Sequence, residues 1–203
     1  MKKYLTTIPV ITILTGILLM FTSGCKKDNT ASKLKATGDS YQGGKVAYIL
    51  QLGDAGYDAN VQHGLIAAPT DQSTGIQWYN GTFTTTGATA QALGTGNANT
   101  NTIVASQGGG NYAAKLCADL VINGYSDWYL PSREELNKLY ENRIAIGGFS
   151  TDVTPGSSVY WTSSEGVSLT PPNNGAFHVY FITGQNGGAN KNQTFFVRAV
   201  RSF

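Results

Sequence analysis

Acid–base or nucleophilic chemistry in this chain would fall to His63, His178, Cys117 or some pair of its twelve carboxylates. Nucleophilic catalysis needs a nucleophile, a base and an orienting group in one constellation. His178 lies in Ala176-Phe177-His178-Val179-Tyr180, where strand alternation puts it on one face with Ala176 and Tyr180. Glu165 ends Tyr160-Trp161-Thr162-Ser163-Ser164-Glu165. A degenerate site around His178 and Glu165 is the one enzymatic reading available; a hydrogen-bonded or exposed strand histidine is the plain alternative. Cys117 recurs with Ala113, Leu116 and Leu120 at helical spacing, so it reads as a small buried hydrophobe. No zinc spacing, phosphate-cradling loop or Ser/His/Asp order is recognisable. Calcium takes about six to eight oxygens. Asp54 and Asp58 share a turn without a third acid, and Pro171-Pro172-Asn173-Asn174 carries none. The expectation is a non-enzyme with no metal and no cofactor.

Binding chemistry is better supplied. Trp78, Tyr79, Trp128, Tyr129, Tyr160 and Trp161 are enough for a stacking platform, and Asn80, Asn97, Asn99, Asn101, Asn173 and Asn174 offer amides to sugar hydroxyls. Trp78, beside the Asn80-Gly81 turn, is expected at the surface, while Trp128 and Trp161 are expected in the core. Ser163, Ser164 and Glu165 either line a cleft or cap a loop. The candidate ligand set is therefore Trp78, Asn80, Asn99, Ser163, Glu165 and His178.

The elements that must position these residues are short. Segment 44–51 has strand composition, with Val46, Tyr48 and Leu50 on one face; 64–69 is a buried-type strand ended by Pro69; 76–79 is another, closed by Asn80-Gly81. Residues 82–110 form a long Thr/Asn/Gly segment, functional or mobile by its length, in which a helix could begin over 86–93. Asn111 can cap a helix through Leu120, stopped by Asn123-Gly124. Ser132 caps a second, with Glu135 completing a capping box and Leu136, Leu139 and Tyr140 as its buried stripe. Segments 160–163, 176–182 and 195–201 read as strands, the last apolar on both faces and so central in its sheet. Arg198 and Arg201 in that strand need carboxylate partners, and Glu134 or Glu135 is the expected one.

The N-terminus bears on location. Lys2 and Lys3 precede an apolar run over 8–21, then Ser23-Gly24-Cys25, with Thr22 where a lipobox usually has leucine. This reads as a signal peptide over 1–24, with Cys25 as the lipidated first residue of the mature chain. A flexible tether over 25–39 and one domain over 40–203 follow. The 203 residues carry 14 basic and 12 acidic groups. Loss of the two leader lysines balances the mature chain at 12 of each. Segment 26–35 then holds four lysines and Asp28, leaving 8 basic and 11 acidic groups, a net of −3. That argues against nucleic acid or any strongly polyanionic partner. With Cys25 lipidated, Cys117 is the only thiol, so no internal disulfide can form.

Gly124-Tyr125-Ser126-Asp127-Trp128-Tyr129-Leu130-Pro131-Ser132, Gly147-Gly148-Phe149, Tyr160-Trp161-Thr162-Ser163-Ser164-Glu165 and Val197-Arg198-Ala199-Val200-Arg201 together resemble the Lcl C-terminal domain family. The resemblance spans roughly 40–203. It implies an α+β domain of the C-type-lectin-like and formylglycine-generating-enzyme fold group, with a small twisted antiparallel sheet, two main helices and long loops. It also implies a surface role, since the family's namesake is an adhesin for sulfated glycans. The expectation is a lipid-anchored cell-envelope module, at the outer membrane or cell surface, that binds a glycan or a surface protein. The alternatives are a structural component of an envelope assembly and the degenerate enzyme.

Overall fold

The computed structural model describes Met1 and residues 34–154, 156–166 and 174–203. The leader, the lipobox with Cys25, most of the tether and the Pro171-Pro172-Asn173 stretch lie outside the described residues. Leu34 to Phe203 form one compact unit. Among the described residues no helix is long and apolar enough to cross a membrane.

The fold is α+β, built on two sheets. The first has order β1-β2-β3-β9, from Ser40–Tyr41, Gly44–Ile49, Gly64–Ala67 and Val200–Ser202, all antiparallel. The second has order β4-β8-β5-β6-β7, from Ser73–Gln77, Thr194–Val197, Val159–Glu165, Gly175–Tyr180 and Gln185–Asn190. It is antiparallel apart from the β5–β8 pair. A bulge between Val46 and Tyr48 breaks the expected alternation of β2, so Val46 and Ala47 are both fully buried.

The segment expected as one central strand over 195–201 is two. The chain turns at Arg198 and Ala199, leaving β8 in the second sheet and β9 on the edge of the first. Arg198 holds this junction, and its partner is Asp71, not Glu134 or Glu135: Nε lies 2.7 Å from Asp71 Oδ1. The same guanidinium donates to the carbonyls of Ala68 and Gly148. Arg201 likewise pairs with Asp127, its Nε and Nη2 donating to the two carboxylate oxygens at 2.7 and 2.8 Å.

Glu134 and Glu135 serve helix ends instead. Glu135 closes the Ser132 capping box at the start of α3 (Arg133–Glu141). Its carboxylate also accepts the Gly94 N–H at 3.0 Å, just before α1 (Gly96–Gln107). One buried carboxylate thus satisfies backbone donors at two helix starts. Glu134 accepts from the Leu93 N–H at 3.2 Å.

Among the described residues α1 is the longest helix, and it starts later than 86–93, where a helix could have begun; its single neighbouring apolar pair, Ile103 and Val104, gives almost no amphipathic signal. α2 is short, Ala113–Ala118, and its N-cap is Tyr112 rather than Asn111, with no side-chain cap. Asn123 and Gly124 do not stop it. Both have positive φ, 50° and 82°, and form a two-residue turn bridging Ile122 and Tyr125. One further turn of helix, α4 (Arg143–Ile146), follows α3.

The core has two parts. Ile66, Trp78, Ile103, Tyr112, Leu130 and Trp161 pack around α1 and α2. Leu65, Leu136, Leu139, Tyr160, Val179 and Phe181 pack under α3.

Candidate binding site

Trp78, expected at the surface, is fully buried, and its indole N–H donates to the Thr162 carbonyl at 2.8 Å. The reason lies one residue beyond β4. The Trp78 N–H donates to the Lys191 carbonyl at 2.9 Å, which continues the strand's pairing inward before the Asn80-Gly81 turn begins. The other five aromatics of the expected platform are buried too, so no stacking surface exists at those positions.

Four of the six expected ligand residues form a buried hub beneath segment 84–91. Glu165 accepts the Thr86 and Gly87 N–H groups at 2.9 and 2.8 Å and the Thr86 hydroxyl at 3.0 Å. It also pairs with Lys191, whose side chain is wholly buried. Lys191 Nζ donates to the Thr84 carbonyl at 2.8 Å and lies 4.8 Å over the Trp78 ring. Burial pushes the Glu165 carboxyl up, but Lys191 and the backbone donors outweigh it and hold the group below its ordinary pKa. Asn99 donates to the Ala90 carbonyl at 2.6 Å and to Ser163 Oγ at 3.4 Å. Ser164 Oγ donates to the same Ala90 carbonyl at 2.7 Å. Ser163 and Glu165 therefore anchor a loop rather than line a cleft. Asn80 is also spent, bonded to Gln107 through both its backbone and its side chain.

His178 is different. It lies on β6, opposite Trp161 of β5 and Gly187 of β7, on the sheet face turned away from α3. Phe195 and Trp161 flank its ring at 5.3 and 6.5 Å. A Cβ on Gly187 would come within 2.7 Å of His178 Nε2, so only glycine lets the imidazole lie against the β7 backbone. His178 Nδ1 is buried without a hydrogen-bond partner. Desolvation lowers the pKa of the ring below its ordinary value, so it is neutral at pH 7.

The imidazole opens into a cavity of about 470 Å³, walled by Val159, Tyr180, Gln185 and the backbone of β7, with Val153 and Gly156 along its rim. That volume is in the range of small-molecule sites. Among the described residues, its lining side chains carry no charge, and neither the Tyr180 hydroxyl nor the Gln185 amide is hydrogen-bonded. Tyr180 and Gln185 face each other across the β6–β7 ladder. Neither was in the sequence-derived set, although Tyr180 shares the face of His178 by alternation. Gln185 had no signal, because Gln185-Asn186-Gly187-Gly188-Ala189-Asn190 lacks strand composition.

Among the described residues no group of three or more His, Cys, Asp or Glu side chains is placed to hold a metal ion. Cys117 is buried and free, and burial pushes its thiol pKa up, away from reactivity. No curated protein matches the sequence. The family model described as the Lcl C-terminal domain matches residues 68–201, a span that takes in the Arg198 junction, the buried hub and the His178 cavity, and the chain belongs to that family.

Proposed function

We propose that this protein is a cell-envelope binding module, lipid-anchored through Cys25, that holds a neutral saccharide unit in the His178 cavity without catalysis. The observation that carries the reading is the cavity itself. A pocket of about 470 Å³ presents an uncharged imidazole, a phenol and an amide, with aromatic and aliphatic walls. Sugar hydroxyls need donors and acceptors of this neutral kind, beside an apolar wall for the ring. An acidic or sulfated sugar would find no cation among the lining residues. Against the degenerate-enzyme alternative, the Glu165 carboxylate is already committed to Thr86, Gly87 and Lys191, which leaves His178 without that acid.

The test is a glycan-array screen followed by titration of the protein, wild type against His178→Ala and Tyr180→Ala. Binding to uncharged glycans, lost in both variants, is the expected result. Binding that survives both substitutions, or that is confined to sulfated glycans, would overturn the reading. No glycan bound at all would move the cavity to a protein partner.

A further inference from the structure

We propose that the tip of the β2–β3 loop is a lipid-docking face that lays the domain against the bilayer holding its anchor. The proposal rests on the anchoring part of the functional reading. Leu52, Val61 and Tyr57 of this loop are 87, 52 and 39 % exposed, and Leu34 beside them is 72 % exposed. Leu34, Tyr57 and Val61 share one shallow depression of about 160 Å³ with Ile49 and Leu50. Leu34, Tyr57 and Val61, exposed and gathered in that depression with Leu52 on the same loop, mark a surface built to be covered.

The chain itself says what covers it. Gln62 clamps the entry of the domain: its Oε1 accepts the Lys35 N–H at 2.7 Å and its Nε2 donates to the Lys35 carbonyl at 2.9 Å. The polypeptide therefore enters the domain within this patch. Eight residues lie between Cys25 and Leu34, a reach of roughly 30 Å when fully extended. Lipid on Cys25 keeps the patch within that distance of the acyl chains. Lys26, Lys27, Lys33 and Lys35 lie along the stretch and favour anionic headgroups. The two acids of the loop are engaged locally. Asp54 accepts from the Tyr48 hydroxyl and the Gln51 N–H, both at 2.7 Å, and Asp58 accepts from the Asn60 N–H at 2.7 Å. They belong at the headgroup rim, with the leucine, valine and tyrosine side chains below them. Docking adds a second, weak attachment to the acyl chains, the arrangement by which peripheral proteins fix their orientation.

The experiment uses the full chain in vesicles of phosphatidylethanolamine and phosphatidylglycerol. An environment-sensitive fluorophore is placed in turn at Leu52→Cys, Val61→Cys and, as control, Val153→Cys. Cys117 is buried and does not compete for label. Mass spectrometry of Cys25 reports lipidation independently. Bromine-bearing acyl chains are expected to quench the labels at 52 and 61 several-fold more than the label at 153. A Leu52→Asp, Val61→Asp chain labelled at Leu34→Cys is expected to lose its quenching while still floating with the vesicles. Lipidated, floating protein with no difference among the three labels overturns docking and leaves the anchor standing. An unlipidated Cys25 in a chain that stays off the vesicles overturns both. A blue shift that grows with protein concentration without lipid assigns the patch to a second copy of the chain and overturns the proposal.

Discussion

The hub under segment 84–91 and the cavity over β6 are made from the same kinds of residue and do opposite work. In the hub, each polar group has been satisfied by another part of the chain: Glu165 by Thr86, Gly87 and Lys191, Asn99 and Ser164 by the Ala90 carbonyl. In the cavity, His178 Nδ1 has no hydrogen-bond partner, and among the described residues the Tyr180 hydroxyl and the Gln185 amide make no hydrogen bond. A buried polar group that is fully paired stabilises a fold, whereas an unpaired one costs free energy until a partner meets it. Residue type alone does not separate the two cases; saturation does.

The sharpest way to break this contrast is to remove one side of the buried ion pair. Glu165→Ala leaves Lys191 charged and unpaired in the core, at a cost of about 3–5 kcal/mol, read as a lower urea midpoint. A fully stable variant that had lost ligand binding would reverse the assignment of the two regions. Trp78→Ala should cost about 3–5 kcal/mol by loss of a filled core position, with ligand affinity unchanged in the molecules that stay folded.

His178→Ala should do the converse. Binding should fall at least tenfold, while stability moves by no more than about 1 kcal/mol. Acid separates the regions as well. The folded His178 has a lowered pKa, so the unfolded chain takes up its proton first, at about pH 6.5. Its contribution to stability is full above that pH and shrinks as pH falls toward the folded value. Binding through the neutral ring should fade in the same window. Glu165 titrates below its ordinary value of about 4.3. Its contribution is intact above that pH and is lost only as pH falls through the depressed folded value. A calorimetric series from pH 8 to pH 3 (about the accessible range) should show binding lost before the hub melts. The mildest probe is Gly187→Ala, whose methyl displaces the imidazole and should weaken binding several-fold with the fold intact.

What was legible in the sequence was local. Ser132 and Glu135 are three residues apart, and the capping box they make is present. Trp128 and Trp161 are in the core, where the motifs around them put them. The partners of Arg198 and Arg201 were not legible, because Asp71 and Asp127 are distant in sequence and nothing in their own neighbourhoods points to an arginine. Helix α1 was placed too early, since Gly96–Gln107 has neither a charged face nor an apolar stripe to mark its limits. The outward reading of Trp78 failed because a turn signal two residues away says where the chain reverses, not which way the preceding side chain points. The cavity was half legible: His178 was a candidate and alternation put Tyr180 on its face, but β7 has the composition of a loop and becomes a strand only by pairing with β6.

The pairing of β3 with β9 sets the timing of folding. Leu65 pairs with Ser202, and Gly64 exchanges both backbone hydrogen bonds with Phe203. The first sheet stays open until residues 200–203 have been synthesised, and the free edge of β3 is covered only then. Contacts of such long sequence separation slow folding. On the proposed reading of an exported envelope module, that delay is useful: the first sheet stays open until Val200–Ser202 have crossed.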